Sequence, residues 1–303
     1  MARLLSLVED AHPALPEVMA ALAPHGGRAH VIGLTGAPGV GKSTTTSALI
    51  TAFRQAGRRV GVLAVDPSSP FSGGALLGDR IRMEQHATDP DVFIRSVASR
   101  GHLGGLSFAT PQALRVLDAA GFDVVLVETV GVGQSEVEVA ARADTTVVIL
   151  APGMGDGVQA AKAGILEIGD VFVVNKADRD GADDTVRELR HMIQLGNREH
   201  SVDWRTPVVR TVASRGDGIP ELVDCLAAHR DWLQESGRLE TRRRERARAE
   251  IEAIAVAELR RRMGGDGGPV PDDLASSVAA GTTDVYAAAR RVVERLTREP
   301  RRQ

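Results

Sequence analysis

Residues 36–44 read Gly-Ala-Pro-Gly-Val-Gly-Lys-Ser-Thr and follow the apolar run Val31–Leu34. A glycine, four free positions and then Gly-Lys-Ser, placed between a strand and a helix, form the pattern of a phosphate-binding loop. Glycines let the backbone turn its N–H groups inward, and the helix expected to begin near Lys42 adds its positive end. Lys42 is expected to reach the β- and γ-phosphates, and Ser43 to place its hydroxyl on Mg²⁺. The residues predicted to bind a nucleoside triphosphate here are Gly36, Ala37, Pro38, Gly39, Val40, Gly41, Lys42, Ser43 and Thr44.

The composition of the 303-residue chain, 43% apolar and 25% charged, is typical of a soluble globular protein. A formal net charge of −3 argues against a general nucleic-acid or membrane-surface binder. The single cysteine excludes an internal disulfide framework and a cysteine-pair zinc site. Because no apolar run reaches about 18 residues and no signal-peptide core opens the chain, a cytoplasmic location is expected.

Seven apolar runs alternate with helical stretches along the chain. They cover His30–Leu34, Val60–Val65, Val92–Val97, Val124–Val127, Val147–Leu150, Val171–Val174 and Val208–Val212. Most are continuous Val/Ile/Leu runs, as in strands buried on both faces of a parallel sheet. The pattern predicts a doubly wound α/β domain with a mainly parallel sheet over residues 30–235. Helical arms are expected on either side, over residues 1–29, where the arm is expected to pack on the domain, and over residues 236–303. In such a sheet the ligand lies beyond the carboxyl ends of the strands.

Acidic residues that follow these runs are candidates for magnesium binding. Asp66 follows the second run, Asp79 lies farther along the same loop, and Glu128 follows the fourth run. A carboxylate in such a place can act on Mg²⁺ directly or through its water shell. A turn-forming role for Asp66 and a solvated-surface role for Asp79 remain alternatives. Gly131 can offer its N–H to the γ-phosphate, but the next residue, Val132, cannot orient an attacking water as a glutamine would. Slow intrinsic hydrolysis is the predicted consequence. The expected catalytic set is Lys42, Asp66, Glu128 and Gly131.

Residues 175–178, Asn-Lys-Ala-Asp, directly follow the sixth run and indicate which base is bound. The carboxylate of Asp178 can accept hydrogen bonds from N1–H and the 2-amino group of guanine, whereas adenine presents a lone pair at N1. Asn175 is expected to tie loops together through its amide, and the Lys176 stem to lie over the base. The backbone N–H of Ala213, after the last run, is expected to meet guanine O6. Together with the phosphate loop, these residues predict GTP and GDP as ligands.

Six motifs occur in a fixed order between about residues 28 and 225. They are Gly36 to Thr44, Val65-Asp66-Pro67-Ser68-Ser69, Gly73 to Arg80, Arg100-Gly101-His102-Leu103-Gly104-Gly105, Glu128 to Glu136, and Asn175 to Asp178. The string from Glu128 to Glu136 is the most specific of them. In this order the motifs resemble those of the methylmalonyl-CoA mutase-associated GTPases of MeaB/ArgK type, which belong to the SIMIBI class of phosphate-loop GTPases.

The resemblance implies a homodimeric GTPase that chaperones an adenosylcobalamin-dependent acyl-CoA mutase. Such a protein gates cofactor loading and protects the mutase from inactivation. The resemblance also implies that the loop from Pro152 to Lys162 is a further switch and that the C-terminal helices form the dimer. The implied Mg²⁺-site residues are Ser43, Asp66, Asp79 and Glu128.

Three other functions compete with this interpretation. A metallochaperone GTPase for nickel or a related metal calls for clustered histidine and cysteine, whereas the chain has eight scattered histidines and one cysteine. A kinase needs an acceptor pocket with an acidic base, and the guanine-type Asp178 argues against the usual ATP donor. A purely structural dimer that holds GTP without turnover is the third alternative.

Overall fold

In the described residues, seven strands form one sheet in which every pair of neighbours is parallel. The structure is a computed structural model that describes residues 1–67, 83–99, 109–129, 141–153, 166–196, 204–263 and 270–298. The strands are β1 (His30–Thr35), β2 (Val60–Pro67), β3 (Val92–Ser99), β4 (Val124–Thr129), β5 (Thr145–Leu150), β6 (Val171–Asn175) and β7 (Val208–Thr211). Their order across the sheet is β3-β2-β4-β1-β5-β6-β7. The doubly wound parallel sheet expected from the seven apolar runs is confirmed.

Helices connect and cover the strands. Within the described ranges the α-helices are α1 (Ala2–Glu9), α2 (Leu15–Leu22), α3 (Lys42–Gln55), α4 (Ala109–Ala119), α5 (Leu166–Ile168), α6 (Ala182–Gly196), α7 (Ile219–Glu235), α8 (Arg238–Met263), α9 (Asp272–Ala279) and α10 (Val285–Arg298). On α3, Leu49, Ile50 and Phe53 recur at helical spacing and pack into the core with strand residues. The start of α10 is capped by Asp284, whose Oδ1 accepts the N–H groups of Tyr286 and Ala287 at 3.0 Å each.

The central strand of the sheet, β1, is buried along its whole length. Strand β1 lies between β4 and β5, and its buried residues include Ile32 and Leu34 at 0% exposure. The chain runs from β1 to the β2, β3 and β4 side and then crosses to β5, β6 and β7. This reversal beside β1 is the topological switch point at which open α/β sheets bind their ligands.

The N-terminal helices pack on the sheet domain rather than standing apart from it. Leu5 and Val8 of α1 and Leu15 of α2 are buried in the same apolar cluster as Leu117 of α4 and Val125 of β4. An ion pair adds to this contact, since Arg95 of β3 lies 2.5 Å from Glu9 of α1. Burial of an aliphatic side chain stabilises a fold by about 2 kcal/mol. Burial of these three side chains therefore stabilises the packing of α1 and α2 on the sheet domain.

A buried polar network joins the amino ends of β1 and β5 to the residue that precedes β6. Thr145 Oγ1 lies 2.8 Å from His30 Nε2 and 2.8 Å from His229 Nδ1. His229 Nε2 in turn lies 3.3 Å from Asp170 Oδ1. Near the start of α8, Arg242 donates to both carboxylate oxygens of Asp170, at 2.8 and 3.0 Å. The network thereby links α7, and Arg242 at the start of α8, to the amino ends of the strands, away from the phosphate loop.

The chain divides into two compact units, Met1–Arg242 and Arg243–Gln303. The second contains most of α8 together with α9 and α10. Leu274, Ala288 and Val292 are its buried apolar residues in the described part. Several large apolar side chains of this unit are exposed, among them Ile251, Leu259, Val285, Tyr286 and Val293.

None of the helices in the described ranges combines the length and the apolar composition that a bilayer span needs.

We expect Arg242→Gln to lower the free energy of unfolding by about 2 kcal/mol at pH 7. This is below the range for fully buried ion pairs because 36% of the Arg242 side chain is exposed. Burial by itself raises the pKa of Asp170, but the hydrogen bonds and charges of His229 and Arg242 outweigh it and lower the pKa to about 2.

A pKa below the ordinary 3.8 means that this carboxylate contributes stability above that pH and loses it as the pH falls toward 2. In Arg242→Gln the pKa of Asp170 in the folded protein should lie closer to 3.8, so less stability is lost on acidification and the difference from wild type should narrow as the pH falls. Urea midpoints measured from pH 7 to pH 2.5 test both points. Arg187→Gln, which removes an exposed ion pair with Asp184, is the control and should change little. Equal effects of the two variants would contradict the prediction.

Candidate functional site

The loops that follow β1, β6 and β7 meet the last residues of β4 at the carboxyl ends of the strands. The register sets this arrangement, since Leu34 of β1 pairs with Glu128 of β4 and Asn175 of β6 pairs with Thr211 of β7. Residues 36–41 continue from β1 and lead into α3 at Lys42. The edge therefore assembles one candidate nucleotide site from segments far apart in the sequence.

Two glycines of the phosphate loop occupy positions where no side chain fits. Gly36 has φ +142°, and a Cβ there would lie 2.2 Å from the carbonyl oxygen of Ile149 in β5. Gly41 has φ +98°, and a Cβ there would lie 2.3 Å from Asn175 Nδ2. The loop thus lies in close contact with β5 on one side and, on the other, with residues 175–178, which are expected to bind the base. This close approach is the physical reason for glycine at both positions.

Lys42 and Ser43 begin α3 and are both buried, at 8% exposure each. The ammonium of Lys42 donates to the carbonyls of Gly36 (2.7 Å) and Ala37 (3.1 Å). It is held against the loop where the phosphates of a nucleotide are expected, and a lysine in that position acts as a point charge toward them. Gly41, the residue before the helix, leaves the first N–H groups of α3 without side-chain caps. Such N–H groups favour anions.

Glu128 is an acidic residue whose side chain contacts the first turns of α3. It is 2% exposed and lies at the end of β4. Ser43 Oγ donates to Glu128 Oε1 at 2.6 Å, and Thr46 Oγ1 lies 2.9 Å from Glu128 Oε2. A serine that gives its proton to a carboxylate keeps its oxygen lone pairs for a cation. Hydroxyl and carboxylate oxygens are the donors that Mg²⁺ prefers, so the pair fits a magnesium site completed by phosphates and water.

The base-recognition residues surround a cavity of about 170 Å³. It is lined by Gly41, Thr44, Asn175, Lys176, Asp178, Arg179, Val212, Ala213 and Ser214. Lys176 has φ +57° and its Nζ donates to the carbonyl of Gly39 at 2.6 Å, so its stem extends toward the phosphate loop. Asp178 forms an ion pair with Arg215 at 3.6 Å, and Arg215 also pairs with Asp217 at 3.1 Å. The four residues expected to bind guanine therefore line one cavity.

Asn175 joins three of these segments through its side chain. Its Nδ2 donates to the carbonyl of Val40 at 2.8 Å, and its Oδ1 accepts from Thr211 Oγ1 and from the N–H of Ala213, both at 3.1 Å. The expected tie between loops is thus present. The N–H of Ala213 already has a partner inside the protein. A hydrogen bond to guanine O6 from that N–H must share or replace it.

Some expected site residues lie outside the described residues. These are Asp79 and Gly131, and the loop from Pro152 to Lys162 is described only as far as Gly153. For Asp66 the structure describes the backbone, as the penultimate residue of β2. Thr46 and Arg215 contact the candidate site but do not follow from the motifs alone. Helical spacing offered a signal for Thr46, because residues three apart on a helix share a face.

A larger open groove of about 690 Å³ adjoins the base cavity, between α3 and the start of α7. The two share Thr44, Ala213 and Ser214 as lining residues. Within the groove, Ser47 Oγ accepts a hydrogen bond from Gln85 Nε2 at 2.6 Å and lies 3.2 Å from His86 Nε2. These contacts tie α3 to the segment that precedes β3.

Several proteins of known sequence are similar to this chain. A protein of Pyrococcus abyssi that carries the name GTPase is 53% identical over 254 residues, which cover 84% of this chain and 78% of the relative. The GTPase ArgK of Escherichia coli is 39% identical over 255 residues, covering 82% and 76%. The mouse protein named methylmalonic aciduria type A homolog, mitochondrial, is 40% identical over 215 residues, covering 70% of this chain and 52% of the mouse protein.

A solved structure has the same fold over nearly the whole chain. The crystal structure of an LAO/AO transport system kinase superposes with a TM-score of 0.68 and 29% identity, covering 98% of this chain and 92% of the other. A model of one protein family, described as methylmalonyl Co-A mutase-associated GTPase MeaB, matches residues 1–266. With the phosphate loop, the base cavity and these relatives in agreement, the protein is a GTPase, and the chain belongs to the MeaB family of methylmalonyl-CoA mutase-associated GTPases.

Proposed function

We propose that this GTPase binds GTP with Mg²⁺ and acts as a partner-controlled chaperone of an adenosylcobalamin-dependent acyl-CoA mutase. In this role it gates the loading of the cofactor and protects the mutase from inactivation. The observation that carries the proposal is the joining of phosphate loop, Glu128 and base cavity at one sheet edge in a member of this family. The family description and the name of the mouse relative support methylmalonyl-CoA mutase as the client.

The chain's own residues divide the work between phosphate and base. Lys42 and the N–H groups at the start of α3 bind phosphate oxygens, while Ser43 and Glu128 are the described groups that would hold the cation. When bound, Mg²⁺ neutralises charge on the β- and γ-phosphates. Asp178 accepts the N1–H and 2-amino hydrogens of guanine, and Asn175 keeps the two halves of the site in register.

The C-terminal helices support the proposed homodimer. Large apolar side chains stand exposed on α8 and α10, with Ile251 at 67% and Tyr286 at 77% exposure. Exposed apolar side chains of this size gain stability when a second subunit covers them. Under this proposal, residues 236–303 form the dimerisation arm.

A kinase is the second candidate, because the superposed structure is named a transport system kinase. Both candidates use a phosphate loop, so the fold does not separate them. They differ in the fate of the γ-phosphate, which passes to water in one case and to a substrate in the other. The guanine-type Asp178 favours the first.

We expect Asp178→Asn to weaken GTP binding about 100-fold and to improve the binding of XTP. The charged acceptor for N1–H and the 2-amino group is lost, whereas an amide can donate to the 2-carbonyl of xanthine. Dissociation constants measured by calorimetry for both nucleotides test this. Asp180→Asn, a change at an exposed position two residues on, is the matched control and should bind like the wild type. Unchanged GTP affinity in Asp178→Asn would remove Asp178 from base recognition.

Steady-state hydrolysis of GTP and ATP, with and without a candidate adenosylcobalamin-dependent mutase, tests the chaperone proposal. We expect slow GTP turnover that rises about tenfold or more with the mutase, because a partner can complete an unfinished GTPase site. Lys42→Ala should abolish it, and ATP should be a poor substrate. Absence of stimulation by any such mutase would contradict the proposed client. Transfer of label to a substrate instead of water would favour the kinase.

A further inference from the structure

Thr46 contacts the same carboxylate as the magnesium-site serine, from one helical turn farther along α3. It is completely buried, at 0% exposure, and its Oγ1 lies 2.9 Å from Glu128 Oε2. Ser43 occupies the other oxygen of that carboxylate at 2.6 Å. The two hydroxyls lie on one face of the helix and each contacts a different oxygen of the Glu128 carboxylate.

The hydroxyl of Thr46 has one proton and two acceptors within reach. Besides Glu128 Oε2 at 2.9 Å, the carbonyl of Lys42 lies at 3.0 Å. A hydrogen bond to an ionised group is about twice as strong as a bond between neutral groups. The proton consequently favours the carboxylate, and the helix carbonyl keeps its backbone partner at the next turn.

Glu128 has a particular need for a second contact. Phosphate-loop NTPases commonly place an aspartate where this chain places Glu128, and that aspartate holds Mg²⁺. Glutamate is one methylene longer and has one more rotatable bond, so its carboxylate plane can take more orientations than that of aspartate. Hydrogen bonds to both of its oxygens restrict those orientations. Ser43 contacts one oxygen and Thr46 contacts the other.

We propose that Thr46 is a positioning residue that fixes the Glu128 carboxylate beside Ser43 and so sets the affinity of the site for Mg²⁺. The inference rests on the proposed magnesium site and goes beyond the motif residues. Thr46 contacts neither nucleotide nor cation in this role. It acts through the carboxylate that it holds.

The test is the Mg²⁺ concentration that half-maximally slows the release of a fluorescent GDP analogue, a readout that requires no hydrolysis. For Thr46→Val we expect this concentration to rise about tenfold, as for the loss of one hydrogen bond to a charged group. Affinity for the same nucleotide in excess EDTA should stay within about twofold of wild type, because the phosphate loop and base cavity are unchanged. At limiting Mg²⁺ the kcat for GTP should fall and recover as Mg²⁺ is raised.

Thr45→Val is the matched control. Thr45 is also 0% exposed and lies on the same helix. Its hydroxyl donates to the carbonyl of Gly41 at 3.0 Å and not to Glu128. It should leave the Mg²⁺ requirement close to that of wild type. Thr46→Ser and Thr46→Ala both lack the methyl group and differ only by the hydroxyl, so this pair isolates the hydrogen bond even if valine packs badly. Serine should restore the wild-type requirement and alanine should not.

The outcomes separate the proposals. Equal Mg²⁺ requirements for the serine and alanine variants, or equal shifts for Thr46→Val and Thr45→Val, would overturn the role of Thr46. A change in the melting temperature without a change in the Mg²⁺ requirement would overturn it as well. A wild-type protein whose GDP release ignores Mg²⁺ would instead refute the magnesium site on which the inference rests.

Discussion

The side chain of Asn175 joins the end of β6 to the phosphate loop and to the segment at the end of β7. It is 3% exposed and makes three hydrogen bonds, to the carbonyl of Val40, the hydroxyl of Thr211 and the N–H of Ala213. An apolar replacement leaves buried partners unsatisfied, at about 1–3 kcal/mol each. The amide approaches so closely that residue 41 must lack a Cβ. Together with the hydrogen bond from Lys176 to the carbonyl of Gly39, this side chain holds the phosphate loop beside the base cavity.

The strands that carry these loops are also fastened at their other ends. The buried network begins with His30 at the start of β1 and includes Thr145 at the start of β5. It ends at Asp170, directly before β6, which Arg242 holds from α8. These strands are held by buried side chains at their amino ends and by Asn175 at their carboxyl ends, so they cannot easily move relative to one another. A change in the bound nucleotide is therefore best expressed in the loops after the strands, where a partner can contact it.

The sequence predicts those parts of the fold and site whose signals are contiguous. The strands appear as apolar runs, and the sheet that these runs predict is confirmed. The phosphate and base motifs lie directly after strands, which is why the sequence predicts that they lie near each other. The Asp170–Arg242 pair joins residues 72 positions apart, and nothing local marks either partner. The sequence also predicts that the N-terminal helices pack on the domain, as they do, but periodicity shows only that a face is apolar and not which residues cover it. Thr46 lies two residues beyond the phosphate-loop motif. Its proposed role depends on a contact with Glu128 of β4, which the local sequence does not indicate.

The two ends of the site lie in different electrostatic surroundings, and this divides their tasks. At the phosphate end Lys42 is 8% exposed and Glu128 is 2% exposed. At the base end 43% of the Asp178 side chain is exposed. Interactions between charges are several times stronger in the interior than near water. Under the proposed function, a single added phosphate charge would therefore be recognised most strongly at the buried end, where GTP differs from GDP. The exposed end would gain little from charge alone, so its choice of base would come from the direction of hydrogen bonds to Asp178.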